Sequence, residues 1–355
     1  MRTKNLAQNA REIQSKQRLA NQNRREFIAN SSKMLAFGAV AMSAPLISNA
    51  ASANSSAASV GGNLAATPQI PNAKLNNGVL MPLLGFGTLD LPREQCAQSV
   101  FEAIKAGYRL IDTAQNYINE DEVGAGIKEA IKSGLVKRDE LFITTKLWIN
   151  DYQYAKKAFE TSLKRLGVDY LDLYLLHQPF NDIYGAWRVL SSLYKAKRVR
   201  AIGVSNFYPD RLADLCLNNE IKPMVNQIEI SPYFQQESAR AINAKYGVQV
   251  EAWGALVRGK NANLFKEASL VKIARTHKKS VAQVVLRWLL QREIVSIVKT
   301  QNPQRMRENL GVLDFALSQN EMQTIAKLDT GKTSHFEHRN ADGVEFLITK
   351  ATRKR

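Results

Sequence analysis

The sequence predicts an α/β fold, a single-domain (β/α)8 (TIM) barrel of about 280 residues, on three observations. Eight short apolar, β-branched runs follow one another between residues 83 and 299. Amphipathic stretches separate them, and their starts recur every ~25–30 residues, with one longer gap before the last, which is the size of a βα unit. Polar residues interrupt most of the runs near the same end, where such a barrel carries its site.

Taken in order, residues 1–53 read as an export signal outside the fold. Eight Lys/Arg and two Glu place +6 of the chain's +17 formal charge there. The stretch NRREFIA (23–29) precedes an apolar run from Met34 to Ile47, and small residues follow to Ala51-Ser52-Ala53. A basic region, a short apolar run and an A-x-A site describe a cleavable signal, with cleavage after Ala50 or Ala53. The run is too short to span a bilayer, so no stable membrane insertion is expected. Arg24-Arg25 followed by Phe27 resembles a twin-arginine signal, which implies the twin-arginine export machinery as a partner and the periplasm as the address. The competing reading is a disordered basic tail before a buried apolar helix, which would leave the protein cytoplasmic. Residues 54–72, rich in Ala, Ser, Gly and Pro, read as a linker.

The barrel is assigned to residues 73–345. Within it a hairpin, KLNNGVLM (74–81), with Asn77-Gly78 as its turn, precedes the first barrel strand. The strands are LLGFG (83–87), RLIDT (109–113), LFITTK (141–146), LDLYLLH (171–177), RAIGVS (200–205), MVNQIEI (224–230), VQVEAW (248–253) and IVSIVK (294–299). Among the intervening helices, one carries Cys96, Val100, Phe101 and Ile104 on one face and another Phe159, Leu163 and Leu166. Residues 346–355, ending Arg353-Lys354-Arg355, read as a basic tail.

With 45% hydrophobic residues, 19 Gly, 10 Pro and 2 Cys, the chain is neither collagen-like, disulfide-stapled nor wholly disordered. Cys96 and Cys216 read as packed, unpaired thiols. The charge beyond the signal comes with no recognition motif or basic-aromatic platform, so nucleic acid is not an expected partner. With four histidines and no third ligand beside His335 and His338, no metal is expected. There is no G-x-S-x-G elbow, Walker loop or G-x-G-x-x-G fingerprint.

The polar residues interrupting the strands are Asp112, Lys146, His177, Ser205-Asn206, Gln227 and Lys299, with Gln227 further inside its strand. Each alone has a structural explanation: a turn cap, a snorkelling amine, a hydrogen-bonded core histidine. Their shared position makes a site at the barrel mouth the better reading. Tyr117 follows Asp112 by five residues. A phenol titrates near pH 10, too high for efficient acid–base work, but a cation beside it stabilises the phenolate. Lys146, oriented by Asp112, can supply that cation, and His177 can orient a carbonyl oxygen. The set suits protonating a carbonyl while a nicotinamide delivers hydride.

RLIDTAQNYINEDEVGAGI, ITTKLW, LGVDYLDLYLLHQP, GVSNF and IVKTQNPQRMRENL together, over residues 73–345, resemble the aldo-keto reductase family. The resemblance implies Tyr117 as general acid with Lys146, Asp112 and His177 completing a tetrad. It implies Ser205, Asn206 and Gln227 on the nicotinamide carboxamide and Trp253 stacked on its ring. Lys299, Thr300 and Arg305 would hold the adenosine 2′-phosphate, with Asn309 near the adenine; that cationic pair favours NADP(H). The Trp253-Gly254 pair resembles the bacterial branch that includes 2,5-diketo-D-gluconate reductases. Leu89, Trp148 and Gln178 would line the substrate pocket, and Leu89 and Gln178 replace family aromatics. Val298 stands where Pro is common, and Asn302 replaces a Thr or basic residue, softening the NADP preference. The expected function is NADPH-dependent reduction of aldehydes or ketones by a monomer. The alternative is a cofactor-binding sensor or partner subunit with little turnover.

Overall fold

Two antiparallel strands, β1 (Asn72–Lys74) and β2 (Leu80–Pro82), open the computed structural model, which describes residues 70–257, 262–335 and 337–352. Residues 1–53, read above as an export signal, and most of the stretch read as a linker lie outside the described residues. The hairpin connection is longer than the two-residue turn expected. Leu75 N donates to Val79 O (2.9 Å), and Gly78 takes φ +88°, a conformation that favours glycine. The reason is tertiary: Asn76 Nδ2 donates to Pro223 O and Asn77 Nδ2 to Arg200 O, both at 2.9 Å. The loop is thereby tied to residues at or just before the starts of two barrel strands, leaving the opposite end clear.

The eight runs form the eight strands of a closed parallel barrel, joined in the order β10-β3-β4-β5-β6-β7-β8-β9. In chain order the units are β3 (Leu84–Gly87) and α1 (Arg93–Ala106), β4 (Leu110–Asp112) and α2 (Glu120–Lys132), β5 (Phe142–Leu147) and α3 (Ala155–Leu166), β6 (Leu171–Leu176) and α4 (Ile183–Lys195). They continue with β7 (Val199–Ser205) and α5 (Pro209–Leu217), β8 (Val225–Glu229) and α6 (Glu237–Tyr246), then β9 (Gln249–Trp253). Two helices, α7 (Ala268–His277) and α8 (Val281–Gln291), precede β10 (Val295–Val298), which accounts for the longer gap, and α9 (Pro303–Leu310) closes the repeat. α10 (Gln319–Ala326) and α11 (Ala341–Thr349) follow it.

The helices form where the 3.6-residue pattern demands. In α3, Ala155, Ala158, Phe159, Ser162, Leu163 and Leu166 are buried, and Gly167 at φ +65° ends the helix. Ser280 and Gln283 form a reciprocal capping box that starts α8. Inside the barrel the strands approach closely: a Cβ at Gly85 would lie 2.5 Å from Leu110 Cγ and 2.6 Å from Ile297 Cδ1. These two side chains fill the space that glycine leaves, and burying one such leucine stabilises the fold by about 2 kcal/mol. Cys96 and Cys216 are buried and unpaired. No helix among the described residues is long and apolar enough to cross a membrane.

The boundary drawn at residue 345 does not hold. α11 runs through it, and beyond α11 Ala351 and Thr352 are hydrogen-bonded to the site loops.

Candidate active site

Asp112 ends β4, Lys146 lies near the end of β5, and His177 follows β6, so adjacent strands present all three at one mouth. Tyr117 reaches the same point on a short 3-10 turn, Gln115–Tyr117, after β4. That turn is pinned from several sides. Trp148 N donates to Gln115 Oε1 (2.9 Å), Asn116 Nδ2 to Ala351 O (3.0 Å) and Asn119 Nδ2 to Thr88 O (2.8 Å). Ile118, next to Tyr117, takes φ +60°, which is costly for a β-branched residue and is held by these contacts.

Lys146 is fully buried, and its ammonium has three acceptors: Asp112 Oδ1 at 2.7 Å, Thr113 O at 2.9 Å and Tyr117 Oη at 3.2 Å. Burial alone would push the amine towards neutrality. Asp112 and the Tyr117 oxygen outweigh it and hold the pKa above the ordinary lysine value, so the group stays charged. The second Asp112 oxygen accepts from Gln227 Nε2 at 2.9 Å. His177 packs edge-on to Tyr117 and Trp148, with ring centroids 5.7 and 5.0 Å away. Burial, then the Lys146 charge and His338, hold its imidazole well below the usual histidine value, so it is neutral at physiological pH. It can orient an oxygen by hydrogen bonding, but it is a poor store for the transferred proton.

The residues assigned to a cofactor divide into two sets. Asn206, another non-glycine residue in the left-handed region (φ +61°), accepts from Trp253 Nε1 at 3.0 Å and donates to His177 O at 3.1 Å. Ser205 Oγ donates to Gln227 O at 2.9 Å. Gln227 gives its amide nitrogen to Asp112 inside the barrel and so also braces the tetrad. Trp253 and Gly254 are partly exposed at the end of β9. Past β10, Lys299 and Arg305 are exposed and Thr300 partly so, and neither cation has a carboxylate partner among the described residues. Asn309 is buried on α9, against Tyr108. Asn302 caps that helix, accepting from Gln304 N (2.8 Å) and Arg305 N (3.3 Å). Two unpaired cations beside a helix start, with a partly exposed indole at the end of the neighbouring strand, fit a nicotinamide dinucleotide bearing phosphates.

Of the residues expected to line a substrate pocket, Leu89 is partly exposed, Trp148 is buried with Nε1 donating to Thr352 Oγ1 (2.8 Å), and Gln178 Oε1 is buried without a partner among the described residues. Gln178 is fixed through its backbone, whose carbonyl accepts from Tyr152 Oη at 2.6 Å. Among the described residues, no group of three or more His, Cys, Asp or Glu is placed to hold a metal.

Sequence reasoning missed the closing segment. Glu229, at the end of β8, accepts from Thr333 Oγ1 (2.5 Å), Ser334 N (2.9 Å) and Ser334 Oγ (2.5 Å), and contacts His335 Nδ1 at 3.2 Å. Burial would raise its pKa, but the His335, Ser334 and Thr333 side chains lower it below the usual glutamate value, keeping it ionised. His335 sits edge-on to Trp253 with centroids 5.0 Å apart, and buried His338 lies 6.3 Å from the same ring. Glu251 was also missed. It lies inside β9, two residues before Trp253 and therefore on the same face, a period-2 signal present in VQVEAW.

Fold and site define a barrel oxidoreductase with a buried lysine–aspartate pair beside a tyrosine. The aldo/keto reductase family model matches residues 83–330, and the chain belongs to that family. It is 48% identical over 260 residues to a glyoxal reductase of Bacillus subtilis, covering 72% of this chain and 92% of that one. It is 43% identical over 291 residues to a morphine 6-dehydrogenase of Pseudomonas putida, covering 78% and 97%. An aldo-keto reductase of Bombyx mori, solved in complex with NADP, superposes with a TM-score of 0.73 at 34% identity, covering 76% of this chain and 96% of that one.

Proposed function

We propose that the protein reduces aldehydes or ketones to alcohols with NADPH, Tyr117 acting as general acid. The observation that carries this reading is the fully buried Lys146 ammonium 3.2 Å from Tyr117 Oη and 2.7 Å from Asp112 Oδ1. Bound at the mouth, the nicotinamide supplies hydride to the carbonyl carbon. Lys146 stabilises negative charge on the phenol oxygen, so Tyr117 can give its proton to the carbonyl oxygen as charge develops there. Asp112 keeps Lys146 charged and Gln227 keeps Asp112 in place. Neutral His177 orients the carbonyl oxygen, while Trp148 and the closing segment limit water.

Ser205, Asn206 and Gln227 would meet the carboxamide, and Trp253 the ring. The exposed pair Lys299 and Arg305 supports a 2′-phosphate and hence NADPH, with Thr300 and Asn309 beside it; the Bombyx mori relative was solved with NADP. The relatives named above differ widely in the bulk of the compounds in their names, so the carbonyl is to be found by assay: methylglyoxal, aromatic aldehydes and diketo sugar acids form the first panel. Tyr117→Phe should lower turnover by ~10³-fold or more while NADPH binding stays within about 3-fold, because a general acid is lost and no cofactor contact is. Tight NADPH binding without turnover by the unmodified protein would instead mark a cofactor-binding partner protein.

The same reading includes export to the periplasm as a folded protein, supported by Arg24-Arg25 and the apolar run after it. A reporter active only after export should lose its signal with Arg24→Lys and Arg25→Lys together. Retained signal would mean another export route, and no signal from the unmodified sequence would return the enzyme to the cytoplasm.

A further inference from the structure

Glu251 has no part in the mechanism above, yet it sits inside the barrel next to it. It is fully buried, and neither carboxyl oxygen has a hydrogen-bond partner among the described residues. Its register partner on β8 is Gln227, whose amide nitrogen is already given to Asp112, and its partner on β10 is Val295. The charged groups acting on it are Asp112 from β4 and Lys146 from β5; Gln227 is uncharged and Val295 apolar. An ionised carboxylate enclosed this way, without donors of good geometry and with a second carboxylate nearby, is strongly disfavoured. The protonated acid is not.

We propose that Glu251 is a positioning residue held as a neutral carboxylic acid under the Asp112–Lys146 pair, so that Lys146 has one carboxylate partner and directs its remaining field to Tyr117 Oη. The inference rests on Tyr117 being the general acid. Were Glu251 ionised, a second anion would face Lys146, the positive potential at the phenol oxygen would fall, and Tyr117 would become a weaker acid. Burial first and Asp112 second push the Glu251 carboxyl up to about 8, against the weaker pull of Gln227 and Lys146. The neutral form therefore prevails at pH 7 and is lost above pH 8.

Two measurements test this. The infrared spectrum of the full barrel should show a protonated-carboxyl stretch at pH 7 that fades above pH 8 and is missing from Glu251→Gln. Carbonyl reduction by the unmodified enzyme should show a step near pH 8 that lowers kcat by ~3–10-fold, with KM for NADPH unmoved, as expected for a modest change in acid strength. E251Q, uncharged at every pH, should lose that step. Absence of the protonated band at pH 7, or an E251Q profile that keeps the alkaline step, would overturn the proposal. If E251Q does not fold, the titration of the band in the unmodified protein against Glu251→Leu decides it. If no carbonyl is reduced, the Tyr117 reading fails, while the infrared titration still decides the protonation state of Glu251.

Discussion

The two ends of the proposed site are built in opposite ways. At the proton-handling corner, Lys146 is fully buried, all three of its acceptors lie within 3.2 Å, and Asp112 has a partner on each oxygen. At the phosphate end, Lys299 and Arg305 stand in solvent with no carboxylate partner among the described residues. A fixed, dry arrangement strengthens electrostatics and needs no reorganisation when charge develops, which is what a chemical step requires. Exposed charge is screened and mobile, but it can capture an anion from solution and release it. The first end should therefore govern kcat and the second KM.

The largest effect should come from Lys146→Met. It removes the cation that stabilises the phenolate and leaves Asp112 as a buried carboxylate without its counter-charge. Turnover should fall ~10³-fold, and the fold should lose about 3 kcal/mol, the usual result of breaking a buried pair by deleting one partner. Stopped-flow kinetics and urea unfolding measure the two losses, and NADPH titration should show affinity within about 3-fold of the unmodified protein. A fall in affinity as large as the fall in rate would mean that the two ends are one cooperative unit, and the contrast between them would collapse.

The same contrast explains what the sequence could tell. The buried corner was legible because strands covered on both faces read as apolar runs, so that Asp112, Lys146 and His177 stand out as interruptions. Glu251 was legible in principle, at i−2 from Trp253, but one carboxylate in VQVEAW is easily taken for an exposed position. Gln227 could be located, but its second contact could not be read: a side chain on an inward face can meet a neighbour as well as a ligand, and its amide nitrogen meets Asp112. The closing segment was hidden for another reason. Glu229 and Ser334 are 105 residues apart, and Asn116 and Ala351 are 235 apart, so no local period signals either contact. The hairpin turn failed likewise, since Asn76 and Asn77 are fixed by barrel residues more than a hundred positions away.

A smaller and more selective change should follow at the exposed end. Lys299→Ala with Arg305→Ala should raise KM for NADPH by ~10–100-fold, since a phosphate dianion loses two charge-assisted donors, while kcat stays within about 2-fold. KM for NADH should barely move, because its ribose carries no phosphate for these cations to hold. Raising the ionic strength should shrink the gap between the two cofactors in the unmodified enzyme and leave the double variant unaffected, as screening acts on the exposed charges. Asn302 sharpens the expectation. Its side chain already accepts from Gln304 N and Arg305 N, so the start of α9 has fewer backbone donors left for an anion. Discrimination between the cofactors then falls on the two side-chain charges. A double variant that still prefers NADPH would place the phosphate elsewhere, and one that loses kcat at constant KM would show that the exposed end also shapes the chemical step.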